Sequence, residues 1–159
     1  EGEFDQVDRV LYDLKHNPLS RRIITNIYNH EDLHEMNLYP CAYSVTFNVT
    51  GNRLNAILNQ RSQDMLVANN WNVCQYAVLV HMFAKVSNLV AGELVHVIAD
   101  AHIYDRHIPL VEELISRKPY DAPAFEIDDI DDFYKFTVDN VRLKDYNYHE
   151  FNTKIPVAE

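Results

Sequence analysis

The stretch CAYSVTFNVTGNRLNAILNQRS, residues 41–62, decides the fold. From Ala42 to Val49 the chain alternates, with Tyr43, Val45, Phe47 and Val49 on one side and Ala42, Ser44, Thr46 and Asn48 on the other. A period of two is the signature of a strand that buries one face. The turn formers of NVTGNR surround Gly51, and the alternation resumes in LNAILNQRS, so the two halves predict a hairpin. Its first residue is Cys41, set directly behind Pro40.

Upstream, Val7, Val10, Leu11 and Leu14 recur at helical spacing until HNPLS breaks the pattern at Pro18, and RRIITNIYN (21–29) is a β-branched run. Downstream, Val73, Tyr76, Ala77, Val80, Phe83 and Ala84 trace one face of a core helix running from Asn70 to about Val86. ELVHVIADAHIY, after Gly92, reads as a largely buried strand. RHIPLVEELISRK reads as a further helix that holds Pro109 in its first turn. EIDDIDD is expected to be an acidic, solvated connector, and the aromatic tail FYKFTVDNVRLKDYNYHEF to add a small helix and an edge strand. There is no internal repeat.

With 159 residues, of which 47% are hydrophobic and only three are glycine, the chain is expected to form one globular domain over 1–159. A net charge of −10 excludes sequence-independent binding of nucleic acid, which needs a basic surface. Two cysteines make no disulfide framework, and neither a signal peptide nor a long apolar run is present. The expectation is a cytoplasmic, reduced protein with no membrane partner.

Three short patterns point elsewhere and fail on context. HEDLH (30–34) matches the zinc pattern H-E-x-x-H, but it follows a strand and is cut short by NLYP, leaving no sustained helix and no third ligand; no metal is expected. NVT at 48–50 is a glycosylation signal only in a secreted chain. EIDDIDD lacks the glycine and spacing of a calcium loop.

An isolated cysteine is most often a small apolar filler. Cys41, however, has polar company in SRR (20–22), NQRSQD (59–64) and DAHIYDRH (100–107). Arginine beside cysteine favours the nucleophilic thiolate, and the same guanidinium can hold a phosphate. Asn59 and Arg61 share a strand face, and Ser62 can add a hydroxyl donor to the same anion.

NPLSRR, YPCAYS, QRSQDM followed by WNVCQY, and DAHIYDRH stand in the order and approximate spacing of thymidylate synthases, and the closing KIPVA is similar to their C-terminal signature. The resemblance covers nearly the whole chain. It implies an α+β fold, a mixed sheet with flanking helices, in which two subunits pack their sheets face to face as a homodimer. It also implies reductive methylation of dUMP with 5,10-methylenetetrahydrofolate as cosubstrate. Cys41 matches the nucleophile that adds to C6 of the uracil ring. Arg61 and Ser62 match phosphate- and thiolate-tuning positions, and Arg21 and Arg22 the pair that reaches the phosphate from the other subunit. Asn72 matches the amide that reads the pyrimidine edge, where related cytosine-specific hydroxymethylases carry aspartate. His102 and Tyr104 match the residues that bond the ribose hydroxyl, and Asp64 the residue that binds and activates the folate. Gln60 matches a position at the site and interface, and Cys74 is expected to be a buried structural thiol.

The departures are Ala42 after the nucleophile, Ala68 and Asn70 in the loop that borders the folate, and Glu159 at the end. The family's N-terminal segment, with a catalytic glutamate and a folate-packing tryptophan, has no counterpart ahead of Glu1. The chain is therefore expected to match the C-terminal two-thirds of such an enzyme and to turn over poorly. Rival readings are a deoxypyrimidine hydroxymethylase, a noncatalytic nucleotide-binding dimer module, and a Cys-His hydrolase using Cys41 and His102.

Overall fold

The computed structural model describes residues 5–157, so Glu159 lies outside the described residues. Helix α1 (Gln6–His16) starts where the Asp5 carboxylate accepts the Val7 backbone N–H at 2.7 Å, and it buries Val10 and Leu14. Of the β-branched run that follows, only β1 (Ile24–Asn26) is strand. It pairs antiparallel with β2 (Ala42–Thr50), which returns as β3 (Arg53–Gln60). Thr50 pairs with Arg53 across a two-residue turn, and Gly51 takes the positive φ of 62° that its first central position requires. The hairpin is as expected.

Its first residues are not. The register slips between Ala42 and Ser44, so Tyr43 is an extra residue in a bulge, and Ala42 pairs with Gln60. Ala42 therefore belongs to the buried core with Val45 and Phe47 instead of sharing a face with Ser44, Thr46 and Asn48. Alternation in the sequence could not register this, because the extra residue reverses the facing of β2 before it only where the pairing with β3 slips, and that slip is set by the partner strand.

Beyond the two-residue β4 (Gln63–Asp64), α2 (Asn69–Val86) crosses over so that β5 (Val90–Ile98) lies parallel to β3. The sheet order is β1-β2-β3-β5, an α+β arrangement. Phe83 on α2 meets Phe47 edge to face at 5.2 Å and stacks on Phe133 at 4.7 Å, over Leu54, Ala56 and Leu58. Phe83 is fully buried. Phe83→Ala is expected to lower unfolding stability by about 3–5 kcal/mol, read from the denaturant midpoint, because the surrounding rings cannot collapse into the cavity.

Three expectations are corrected. Gly92 lies inside β5 rather than before it, where the Asn55 side chain approaches so closely that a Cβ would overlap it. The strand is not largely buried: Val90, Val95 and Val97 are each 48% exposed, because among the described residues β5 is an edge of the sheet and nothing covers the face opposite α2. That face pairs Ile24 with Thr46, Asn48 with Asn55, Ile57 with Val95 and Asn59 with Val97. EIDDIDD is only partly connector, since β7 (Ala124–Ile127) includes Glu126 and Ile127 and pairs with β8 (Val141–Lys144), beyond β6 (Ala101–His102) and α3 (Ile108–Ser116). Arg142 donates to Asp128 at 2.6 Å, and that bond, with one from Asn140, holds the carboxyl below its usual range.

Cys74 is also not buried. It is exposed on α2, on the side away from Phe83, near the exposed Trp71. A single 3-10 turn, Leu33–Glu35, overlaps only the end of HEDLH and is too short to stack two histidines on one helical face. Among the described residues no cluster of three His, Cys, Asp or Glu side chains is arranged for a metal, and no helix is long and apolar enough to cross a membrane.

Candidate active site

The hairpin brings its two ends together, and with them Cys41 and Arg61. The Arg61 backbone N–H donates to the Cys41 carbonyl at 2.9 Å, extending the ladder past the last strand pair. Its guanidinium then folds over the preceding loop: Nε donates to the Pro40 carbonyl at 3.0 Å and Nη2 to the Tyr39 carbonyl at 2.8 Å. The same Nη2 stands 3.7 Å from the Cys41 Sγ. The planar fork of arginine can meet three acceptors of one loop at once, where a lysine ammonium could not match the spacing. The bulge at Tyr43 breaks the pleat just inside Cys41, as bulges beside reactive groups commonly do. A cavity of about 370 Å³ opens next to Arg61, walled by Asn26, Tyr28, His30 and Tyr43.

The chain leaves Arg61 through Ser62 into β4, and this short strand links the remaining groups. Asp64 pairs in register with His102 on β6. One Asp64 oxygen, Oδ1, accepts the N–H groups of Leu66 and Val67 at 3.0 and 3.2 Å, a turn that fixes the loop leading to α2. His102 Nδ1 lies 3.1 Å from an Asp100 oxygen, and its ring meets Tyr104 edge to face at 5.2 Å. Asp64 and Tyr104 share a second cavity of about 300 Å³ with Val67, His107 and the tail residues 155–157. That tail is tied down by Arg106, which donates to the Val157 carbonyl at 2.7 Å, and by His107, whose Nε2 donates to the Pro156 carbonyl at 2.8 Å.

Asn72, half-buried in the first turn of α2, donates from Nδ2 to Gln63 Oε1 at 2.9 Å. Gln60 is 2% exposed and faces inward with both ends of its amide engaged, to Ser62, Gln63 and His96, so it reaches a ligand only through neighbours. Arg21 and Arg22 sit apart, exposed in the turn between α1 and β1, and neither side chain bonds to Cys41, Arg61 or Ser62 among the described residues.

Sequence reasoning missed the polar string in which buried Gln63 meets half-buried Asn69 and half-buried His96 meets Gln60, and the aromatic wall in which Tyr28 meets Tyr39 and Tyr43. A signal existed for the first. His96 occupies an inward register position opposite Leu58, where an apolar residue belongs, and a polar side chain there needs a partner. Burial lowers the affinity of His96 for a proton.

A sequence profile described as thymidylate synthase matches residues 1–159. The thymidylate synthase of Bacillus licheniformis is 43% identical over 145 residues, covering 91% of this chain and 52% of that protein. That of Clostridium beijerinckii is 40% identical over 151 residues, covering 93% of this chain and 57% of its own length. The solved structure of thermostable thymidylate synthase A from Bacillus subtilis superposes with a TM-score of 0.91 at 38% identity, covering 96% of this chain and 55% of that one. The chain spans about half the length of these relatives, less than the two-thirds expected. A fold shared to that degree, at that identity, over nearly every residue present, means that the chain belongs to the thymidylate synthase family.

Proposed function

We propose that this chain carries the nucleotide half of a thymidylate synthase site, with Cys41 as the nucleophile toward dUMP. The observation that carries the reading is the clamp of Arg61 on Tyr39, Pro40 and Cys41, which sets a cation and a thiol side by side at the end of the hairpin. Addition of the Cys41 sulfur to C6 of uracil forms one C–S bond and moves the C5–C6 pair toward the C4 carbonyl, leaving C5 nucleophilic. The charge that develops on O4 needs a donor, and Asn72 holds a second N–H free of Gln63 for that task. Arg61 and Ser62 hold the phosphate, Gln60 supports their strand end from beneath, and His102 with Tyr104 binds the ribose hydroxyl.

The cavity beside Asp64 fits a flat heterocycle with N–H groups. Asp64 Oδ2 has no partner there among the described residues, and Ile155, Pro156 and Val157 supply apolar walls. The 5,10-methylenetetrahydrofolate cosubstrate supplies the one-carbon unit and hydride when bound. Asp64 orients it, and the tethered tail shields it from water.

Arg21 and Arg22 complete the phosphate clamp from a second copy of the chain in a homodimer. The uncovered sheet face, with Ile24, Val95 and Val97 about half exposed, is the surface two copies bury. The product is dTMP, and the reaction is placed in the cytoplasm. A hydroxymethylase reading is disfavoured by Asn72, and a noncatalytic nucleotide-binding module by the guanidinium at the sulfur. The test is the intact mass of the chain after incubation with 5-fluoro-dUMP and the folate. An added mass of nucleotide plus folate on Cys41 is expected, and an unmodified chain would sink the reading.

A further inference from the structure

The side-chain amides of Gln60, Gln63, Asn69 and Asn72 form one hydrogen-bonded string whose polarity is decided by the backbone. A carbonyl oxygen only accepts, so the Ser62 carbonyl, 2.8 Å from the Gln60 amide, settles which end of that amide is nitrogen. The same nitrogen donates to Gln63, which must turn its oxygen toward it. Gln63 Oε1 also faces the Asn72 amide at 2.9 Å, and only the Asn72 nitrogen can sit there. The string closes on both sides: Gln63 Nε2 donates to Asn69 Oδ1 at 3.2 Å, and His96 Nε2 donates to Gln60 Oε1 at 2.8 Å. Gln63 is 1% exposed, so turning over any one amide would set like ends face to face with no water to relieve them.

Among the described residues Asn72 is left with one N–H and its Oδ1 without a partner, in a fixed order. That order matters for a pyrimidine. Uracil presents a donor at N3 and an acceptor at O4, and cytosine presents an acceptor at N3 and a donor at N4. An asparagine amide can complement either base, and the two readings are related by turning the amide over.

The geometry points to Gln63 as a positioning residue that sets pyrimidine specificity: it locks the Asn72 amide in one of its two orientations, so the site reads uracil nucleotides in preference to cytosine nucleotides. This inference rests on the base-reading role proposed for Asn72.

The test is calorimetric binding of dUMP and dCMP to the chain and to three variants, with folding checked by circular dichroism. Gln63→Met fills the space but neither accepts nor donates, so the Asn72 amide is free to turn. The ratio of dUMP to dCMP affinity is expected to fall about tenfold, the value of one well-made buried hydrogen bond, through weaker dUMP and tighter dCMP binding. Gln63→Glu keeps an acceptor toward both Gln60 and Asn72 and is expected to keep the ratio. Equal weakening of both nucleotides in the methionine variant, or equal loss of the ratio in both variants, would overturn the proposal.

Asn72→Ala separates the two claims. If the unsubstituted chain fails to prefer dUMP, or if Asn72→Ala leaves that preference intact, the base-reading role itself fails. NMR of the unsubstituted chain gives a readout that needs no variant to fold. One Asn72 side-chain proton is expected to exchange slowly and the other fast, whereas rapid averaging of the two would show that no lock exists.

Discussion

Cys41→Ser is expected to abolish the covalent complex with 5-fluoro-dUMP and folate while leaving the fold and nucleotide affinity in place. Serine is smaller than cysteine by little, and among the described residues the polar contacts of the Cys41 side chain are the long ones to Tyr39 and Arg61, so the backbone ladder from Cys41 to Arg61 persists. What is lost is the anion. A thiolate is accessible near neutral pH, whereas an alkoxide at that position has no base beside it: the nearest polar group with a contact is a guanidinium, which can only donate. Adduct formation should fall on the order of 10³-fold or more, the scale on which enzymes lose rate when the nucleophile is removed. Mass spectrometry reads the adduct and calorimetry with dUMP reads the binding. Adduct persisting in the serine variant would place the nucleophile elsewhere, and Cys74, exposed on α2, is the other thiol available.

Arg61→Ala should have the next largest effect, and it acts twice. The first loss is that of the proposed phosphate clamp: charge-assisted hydrogen bonds are about twice as strong as neutral ones, so dUMP affinity is expected to fall on the order of 100-fold. The second is local. The carbonyls of Tyr39 and Pro40 lose their donors, at 2.8 and 3.0 Å, and the loop that presents Cys41 is no longer pinned to the end of β3. Arg61→Lys tells the two apart. Lysine restores charge but not the fork, so nucleotide binding should recover in part while the adduct rate stays low. An alanine variant that binds dUMP as the unsubstituted chain does would remove Arg61 from the site.

The hairpin, the core helix and the helix at Pro109 were legible because each has a period that survives in sequence. Val45 and Phe47 alternate, and Val80, Phe83 and Ala84 recur at helical spacing, whatever packs on them. The error at β5 has a simple physical source. Leu94, Val95 and Val97 are as apolar as a buried strand, but only Leu94 packs on the core; the valines lie on the uncovered face. Composition reports that such a face wants covering and is silent on whether this chain covers it. Cys74 failed in the same way: it lies on a core helix, but on the side of that helix that Phe83 does not occupy.

The sequence named candidates for the site but not their contacts. Cys41 and Arg61 were singled out by a thiol and arginines in polar company, and Asp64, Asn72, His102 and Tyr104 by the positions they match in the family that the ordered motifs resemble. The contacts among them were not legible. That Arg61 reaches back over Tyr39 and Pro40 and that Asp64 pairs with His102 depend on partners more than 20 residues away, and the bond from Asn72 to Gln63 depends on where α2 is set against β4.

What the amino-acid order determined by itself was therefore local: the periods, the turn at Gly51, and the supply of reactive side chains. What only the tertiary structure decided was the bulge at Tyr43, the uncovered sheet face and the direction of each buried amide. Side-chain period is a property of one segment. Register, burial and hydrogen-bond polarity are properties of two segments brought together, and they are settled only when the second arrives.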